Sequence, residues 1–298
     1  MGVTLAFISM FFFAANILIT RYAIARMPVE SGFLVVLVTN ILFPLVIFAV
    51  ELSVRAAPFD WHLKGVGLFA LSGVIGTFLG RRLLFDTVRL LGPARASVFH
   101  SSAPAFALFG AWLLAGEVLG AYELVLVAVV WTGLWLSHPP AGSRAGEEQL
   151  TPQALRMGMI AGIFTVAGFG FGNVIRGLAM RVWSEAVLGT VIASLAAIAC
   201  QVAVTRDWNR IAAQLRAADR TAILLYIGCG VATSLGALFI TFSMLHLEIG
   251  LAVLVVHTTP LVIFPVSVFL LKNREQLSGR TLTGAMIVLC GIALLAVR

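Results

Sequence analysis

The chain has 298 residues, of which 60% are hydrophobic and only 11% charged, with a mean hydropathy of +1.04. Soluble domains are about 25% charged, so a water-soluble fold of this length would expose much of its apolar surface. A net charge of +7 would suit nucleic-acid binding in a soluble chain, but the basic residues lie mostly between apolar runs, as the loop charges of membrane proteins do. The composition therefore excludes an ordinary soluble domain and predicts an integral protein of the lipid bilayer, with no nucleic-acid partner.

Ten apolar runs of roughly the 20 residues needed to cross a bilayer follow one another along the chain. In the first half they cover residues 3–24, 32–51, 65–84, 94–115 and 121–137. In the second half they cover residues 154–175, 184–205, 222–245, 250–271 and 282–297. Only helices and closed barrels span lipid, and these continuous runs lack the alternation of barrel strands. The predicted fold class is all-α integral membrane, with ten transmembrane helices.

A polar segment lies in the middle of the chain, over residues 138–153. Its proline, glycine and charged residues are typical of a linker. It divides the chain into a first repeat over residues 1–137, with the first five helices, and a second repeat over residues 154–298, with the other five.

An internal duplication relates the two halves at an offset of 157 residues. A constant offset shared by several helices indicates duplication rather than chance. Because each half has an odd number of helices, the second half would be inverted relative to the first, which is the plan of many secondary transporters. The matched pairs include Phe12 and Phe169, Asn16 and Asn173, Gly73 and Gly230, and His100 and His257, followed after a one-residue slip by Glu117 and Glu275 and by Gly133 and Gly291.

Basic residues are distributed unequally between the two sides of the predicted bundle. The loops after the odd-numbered helices hold 15 lysines and arginines, and the opposite side holds five. Under the positive-inside rule, this difference places both termini outside the cytoplasm. The five residues of the poorer side are Arg55, Lys64, Arg176, Arg181 and Arg298.

Residues 73–136 resemble helices three to five of an EamA repeat from the drug/metabolite transporter superfamily. The matching features are a glycine-rich third helix, the sequence GPARAS entering the fourth, a proline within it, a Gly-Glu pair closing it, and a glycine late in the fifth. Residues 13–23 are similar to the first-helix pattern of the family, of which only Asn16 remains. Residues 168–180 and 250–298 repeat these patterns more weakly.

The resemblance covers essentially the whole chain and implies two inverted five-helix repeats around a central cavity. It further implies export or exchange of amino acids, other metabolites, sugar derivatives or drugs. We therefore expect a secondary active transporter of small molecules, working by alternating access, as a multi-pass protein of the plasma membrane, which is the inner membrane in a bacterium. Proton coupling and a homodimer are left open. The alternative function is a non-transporting membrane scaffold or accessory protein.

Two histidines are the first candidates for substrate contact. His100 and His257 each lie roughly eight residues inside their helices, about 12 Å at 1.5 Å per residue. Polar groups at that depth usually face the bundle interior or a water-filled path. Pro104 and Pro260 would free the carbonyls of His100 and Val256, and an imidazole with a pKa of about 6.5 can change charge in a proton-coupled cycle. The alternative is a pair of neutral histidines bonded to neighbouring helices.

Five further residues complete the predicted substrate site. Two lie beside the histidines, two are repeat-related amides that interhelical hydrogen bonds would equally explain, and one is an arginine whose donors would suit a carboxylate or phosphate. In that order they are Ser101, Thr258, Asn16, Asn173 and Arg81. An Arg82–Asp86 ion pair is the structural explanation for the charges next to the arginine. Glu117 and Glu275 are predicted to be structural, with an arginine or backbone N–H partner.

Enzymatic motifs are absent from the sequence. It contains no P-loop, dinucleotide fingerprint, His-Glu-x-x-His or Gly-x-Ser-x-Gly pattern. His62 and His138 are isolated, so local spacing gives no metal site, and the three cysteines lie within apolar runs as small hydrophobes. We therefore expect no catalytic residues, no metal and no cofactor.

Overall fold

The computed structural model describes residues 1–55, 60–91, 99, 102–118, 120–137, 151–259, 262–263 and 279–296. In these ranges all regular secondary structure is helical, which confirms the all-α class. In chain order the helices are α1 Gly2–Ala23, α2 Val29–Val54, α3 Leu63–Ser72, α4 Arg81–Leu91, α5 Ala103–Ala115, α6 Ala121–Ser137, α7 Pro152–Val182, α8 Ala186–Val204, α9 Trp208–Ala217, α10 Arg220–Ser243, α11 Ile249–Val256 and α12 Gly279–Ala296. A π-helical segment, Gly73–Gly80, joins α3 to α4 without a break.

Six of the described helices are long and apolar enough to cross a membrane. They are Gly2–Ala23, Val29–Val54, Leu63–Thr87, Leu155–Val182, Ala186–Val204 and Arg220–Ser243. Each lies on one of the apolar runs found in the sequence. The full set of ten spans and their inversion remain predictions.

The chain forms two compact units, and each unit draws on both halves of the sequence. Unit 1 comprises Met1–Phe78 and Ile175–Leu247, and unit 2 comprises Leu79–Val174 and Glu248–Arg298. The predicted division into repeats at residues 137 and 154 follows sequence similarity rather than compactness, and it remains a prediction.

Polar contacts at membrane depth join α2 to α10 in unit 1. With its side-chain amide oriented to satisfy both of its polar atoms, Asn40 Nδ2 donates to the Gly230 carbonyl at 2.8 Å and to Ser234 Oγ at 3.2 Å. A Cβ at Gly230 would lie 2.5 Å from Thr39 Cβ, so the glycine is needed for this close approach. Asn40 is buried and acts as an interhelical hydrogen-bond donor, as amides in lipid often do.

Small residues also form the contact between α3 and α8 in unit 1. A Cβ added at Gly65 would overlap Trp183, and one added at Gly189 would overlap the Phe69 ring. Phe69 is fully buried there. Such glycines let helix backbones approach closely, which is how helices associate in lipid without a hydrophobic driving force.

A partly buried ion pair lies at one end of unit 1, where α2 ends and α8 begins. Arg55 donates to both oxygens of Glu185, at 2.6 and 2.8 Å, and to Glu51 at 2.5 Å. The hydrogen bonds to Glu185 and then to Glu51 raise the pKa of Arg55 above its ordinary value. A two-pronged pair of this kind fixes geometry as well as charge.

The opposite end of unit 1 carries a helix that the apolar runs did not predict. Asp207 caps α9 by accepting from the Arg210 backbone N–H at 3.0 Å. Ile211 is buried, and Leu215 and Ala218 pack on the cluster around Tyr226. Residues 211, 215 and 218 have the spacing of the apolar face of an amphipathic helix. A search for apolar runs of about 20 residues does not detect a helix this short.

Replacing Arg55 with glutamine is expected to lower the melting temperature more than replacing Arg26 with glutamine. Arg26 also forms an ion pair, with Asp219 at 2.8 Å, and the side chains of both residues are 50% exposed. The side chains of Arg55 and Glu185 are only 21% and 15% exposed. Exposed single pairs are screened by water and salt. Thermal unfolding of both variants in detergent, followed by tryptophan fluorescence, measures the difference. Equal shifts would show that the Arg55 contacts stabilise the protein no more than the exposed Arg26 pair does.

Unit 2 contains an antiparallel pair formed by α6 and α12. A Cβ at Gly133 would lie 2.8 Å from the Gly284 carbonyl oxygen, and one at Gly291 would lie 2.7 Å from Val130 Cγ2. Tyr122, at the start of α6, donates to the Leu294 carbonyl near the end of α12 at 3.2 Å. The two glycines matched by the sequence repeat therefore lie in the same helix pair.

Helix α7 continues past the predicted end of the sixth apolar run. We expected that run to stop at Ile175, with Arg176 and Arg181 in the following loop, but α7 extends to Val182. No proline follows Ile175 before the end of α7. The single glycine there, Gly177, is tolerated inside a helix. The assignment of Arg176 to a loop was wrong.

Candidate functional site

Helix α11 stops in the middle of an apolar run of unit 2. Its last residue is Val256, and a non-helical turn at His257, Thr258 and Thr259 follows. The Thr258 and Thr259 hydroxyls donate to the carbonyls three residues earlier, at 2.6 and 2.7 Å. We expected the Val256 carbonyl to be free, but it accepts the Thr259 hydroxyl. Side-chain bonds therefore compensate for part of the interrupted backbone ladder.

Helix α5 begins inside the corresponding apolar run of the first half. Ser102 is its N-cap, and the Ser102 backbone N–H donates to the Phe99 carbonyl at 2.8 Å in a turn that precedes the helix. Pro104 lies within the first two residues of α5, where proline is well tolerated because the missing N–H would have no helical partner. By the repeat offset, this turn matches the turn that follows α11.

Helices α5 and α11 pack antiparallel in unit 2, so the start of α5 and the end of α11 lie at the same end of the pair. Gly250 near the start of α11 faces Leu108 in α5. At the far end, Glu117 accepts hydrogen bonds from the backbone N–H groups of Ile249 and Gly250, at 2.9 and 3.2 Å. The prediction that Glu117 has a backbone N–H partner is confirmed.

A left-handed glycine places Glu117 where it can cap the other helix. Gly116 follows the last residue of α5 with φ of 65°. This conformation favours glycine and turns the chain sharply at a helix C-terminus. The carboxylate then lies at the positive end of α11, where a negative charge is stabilised by the helix dipole.

His257 is half-buried at the C-terminal end of α11. Its Nδ1 lies 2.8 Å from the Val253 carbonyl oxygen. Because a carbonyl accepts, Nδ1 carries the proton and Nε2 carries the lone pair of the neutral ring. The adjacent Thr258 is fully buried, so the turn presents an imidazole and hydroxyls within an apolar stretch.

Two other predicted site residues, Arg81 and Asn173, lie close to Phe169 in unit 2. Asn173 Nδ2 donates to the Phe169 carbonyl at 3.0 Å. A Cβ at Gly80 would lie 3.3 Å from the Phe169 backbone nitrogen, so the start of α4 packs on α7 at this residue. Arg81 follows Gly80 and is half-buried. Among the described residues Arg82 and Asp86 form no ion pair, so that explanation for the local charges was wrong.

Asn16 belongs to unit 1, where it takes part in a polar contact between α1 and α10. Thr20 Oγ1 lies 3.4 Å from Asn16 Oδ1 and 3.3 Å from Cys229 Sγ. The Asn16 side chain is half-buried. His100, Ser101 and Glu275 lie outside the described residues.

The interrupted pair α5–α11 provides the chemistry of a polar binding site in an apolar setting. Helices interrupted at membrane depth occur where protein or a water-filled cavity surrounds them. In secondary transporters they bind substrates and coupling ions. The imidazole of His257 adds ring nitrogens that can donate or accept a hydrogen bond or a proton.

Sequence reasoning overlooked two polar residues of unit 1, Asn40 and Arg176. Asn40 lies in the middle of an apolar run, and its depth alone is a signal of a polar contact. Arg176 was assigned to a loop because the apolar run before it reached the expected length. The absence of a breaker between Ile175 and Val182 was the signal that the helix continues.

The first half of the chain matches a known family of membrane proteins. The model of the EamA-like transporter family covers residues 1–138. By this match, the first 138 residues are an EamA-like transporter domain. Twenty-seven chains of solved structures also resemble it. One of them, the crystal structure of a protein, aligns with a TM-score of 0.70 at 17% identity, over 99% of this chain and 96% of the other. No curated protein matches the chain.

The resemblance found in the sequence is thus confirmed. The structural similarity extends over both halves of the chain, although at 17% identity it shows the fold alone. The EamA-like first half and the apolar helices indicate a multi-pass membrane protein.

Proposed function

We propose that this protein is a secondary active transporter that exports or exchanges small metabolites across the plasma membrane by alternating access. The observation that carries the proposal is the interruption of α11 at His257 inside an apolar run. A membrane scaffold has no need for a turn that bears an imidazole and hydroxyls at this depth, since polar groups there are costly unless they serve a function.

An inverted repeat with ten helices is the architecture that we propose for this transport cycle. It is supported by contacts between helices that the 157-residue offset relates. The pair α5 and α11 packs antiparallel, and so does the pair α6 and α12, as a two-fold axis in the membrane plane would require. In unit 1 the end of α2 meets the start of α8 at the Arg55–Glu185 ion pair, which fits the same relation.

We assign His257 and Thr258 to the substrate or proton site, with His100 and Ser101 as their repeat-related partners. An imidazole can take up and release a proton, which suits proton-coupled transport. Asn16, Asn173 and Arg81 remain secondary candidates. The side-chain amides of Asn16 and Asn173 form hydrogen bonds within their own helices.

Transport by purified protein in proteoliposomes tests the proposal. Labelled amino acids, organic acids and cationic drugs are offered with and without an inward or outward proton gradient. The double variant His100→Gln/His257→Gln is expected to lower flux at least about tenfold and to flatten its pH dependence, because the imidazole proton is lost.

The matched control is His246→Gln, since His246 is exposed in the turn after α10. It is expected to transport like the wild type. Flux that the double variant leaves unchanged would remove the histidines from the site while leaving the transporter. No flux for any compound would favour the scaffold function.

A further inference from the structure

Arg176 is a charged residue inside the membrane-spanning helix α7, in the last part of that helix, which belongs to unit 1. It lies six residues before the end of α7, which corresponds to about 9 Å along the helix axis. Ionisable residues at such depth are rare, and they mark substrate or ion pathways more often than structural sites.

The arginine projects from the protein-facing side of α7. Ile163 and Arg181 are exposed and share one face of the helix. At about 100° per residue, Arg176 points about 140° away from each of them. Its neighbours on the same stripe, Ala179 and Met180, are buried in the apolar core of the unit. The side chain is therefore not placed to reach lipid headgroups along the exposed face.

Among the described residues none bonds to the guanidinium of Arg176. Its Nε is buried without a hydrogen-bond partner, and the ion pairs of the described chain do not include it. The acidic residues of unit 1 serve elsewhere or lie exposed. Glu51 and Glu185 pair with Arg55, Asp219 pairs with Arg26, Asp207 caps α9, and Glu30 and Asp60 are exposed.

A guanidinium whose Nε is buried without an acceptor is unfavourable, because the lost hydration of that donor is not compensated. Destabilising groups of this kind occur in binding sites, where function requires them at the expense of stability. The planar fork of donors matches carboxylate and phosphate oxygens in a two-pronged geometry, which a lysine cannot reproduce.

We propose that Arg176 is the anion-binding residue of the protein and that its ligand is a small soluble carboxylate or phosphate. Resting on the proposed transport function, this assigns an anionic substrate class to the transporter. The anion supplies the missing hydrogen-bond acceptor for Nε and neutralises the charge while bound.

Ligand-dependent thermal unfolding tests the assignment directly. The wild type, Arg176→Lys, Arg176→Gln and Arg181→Gln are purified in neutral detergent and melted with increasing acetate, succinate, glutamate or inorganic phosphate. Chloride at equal ionic strength and succinamide, which is uncharged, are the reference solutes. Arg181→Gln is the matched control, since Arg181 lies five residues further along the same helix on its exposed face.

At least one anion is expected to raise the melting temperature of the wild type and of Arg181→Gln in a saturable manner. The shift is expected to be lost in Arg176→Gln, and the apparent Kd to rise at least about tenfold in Arg176→Lys. Without ligand, Arg176→Gln is expected to melt at or above the temperature of the wild type, because an uncompensated charge has been removed.

Three results would overturn the assignment. The first is the absence of any anion-specific shift, and the second is a shift that survives in Arg176→Gln. The third is an Arg176→Gln protein that fails to fold while Arg176→Lys binds like the wild type, because this combination would indicate a structural role for the arginine. A parallel series with phosphatidylglycerol in the micelles separates the two sources of anion. Stabilisation by this lipid alone would replace the soluble ligand with a headgroup.

Flux measurements separate this inference from the proposed function. If the protein binds no anion and Arg176→Gln transports neutral or cationic compounds as the wild type does, the anionic substrate class is refuted and the transport function is retained. Arg176-dependent anion binding without flux of any compound would keep the anion site and refute transport.

Discussion

Replacing Gly73 with alanine is expected to remove most of the folded protein. Gly73 begins the π-helical segment after α3, and a Cβ at this position would overlap the backbone carbonyl of Ala193 in α8. Because the obstacle is backbone and not a flexible side chain, the two helices must separate. Overpacking typically costs about 1–3 kcal/mol, and a clash with backbone is expected at the upper end of that range because the glycines that hold α3 on α8 would lose their contacts together.

The matched control for this substitution is Gly67→Ala in the same α3. Nothing lies within 4 Å of a Cβ at Gly67, and alanine is a better helix former than glycine by about 1 kcal/mol. We therefore expect unchanged or slightly higher stability. The monodisperse fraction in size-exclusion chromatography and the melting temperature in detergent measure both variants. A Gly73→Ala protein as stable as Gly67→Ala would contradict the close approach of α3 and α8.

Replacing Glu117 with alanine is expected to destabilise unit 2 and to weaken transport. The carboxylate accepts from two backbone N–H groups at the start of α11, and loss of a capping side chain costs roughly 1–2 kcal/mol. Glu117→Gln retains one acceptor oxygen but not the charge, so an intermediate fall in the melting temperature is expected. Because α11 ends at His257, a shift of its first turn would also displace the candidate site.

Glu248→Gln is the control for the charge at the same helix end. Glu248 is the N-cap residue of α11, but its side chain makes no capping hydrogen bond and is exposed. Its substitution is expected to leave both the melting temperature and the KM for a transported substrate unchanged. If Glu248→Gln and Glu117→Ala had the same effect, general electrostatics rather than the capping bonds would be responsible.

The candidate site was only partly accessible to sequence reasoning. The depth of His257 and its match to His100 singled out the turn that the structure places after α11. The interruption itself was predicted as a kink with a free carbonyl, but the Thr259 hydroxyl occupies that carbonyl. Whether a threonine side chain bonds back to its own helix depends on local backbone geometry, which residue spacing does not define.

Arg176 shows the opposite case, in which a residue was visible but misplaced. Charge counting assigned it to a loop because an apolar run of sufficient length had already ended. Helix length is set by where the backbone hydrogen bonds stop, and α7 stops only at Val182. A charge inside a helix and a charge in a loop have the same sequence signature, but they differ greatly in the cost of desolvation.

The sequence by itself determined that this protein is helical, embedded in a membrane and similar to EamA transporters, because long apolar runs leave lipid-spanning helices as the favoured solution. It also located Glu117 as a helix-end residue in need of a partner. Only the tertiary structure decided that this partner is the first turn of α11 and that Arg176, with its Nε buried, projects away from the exposed face of α7. The physical reason is that hydropathy depends on composition along the chain, whereas capping and burial depend on which distant helices pack against each other.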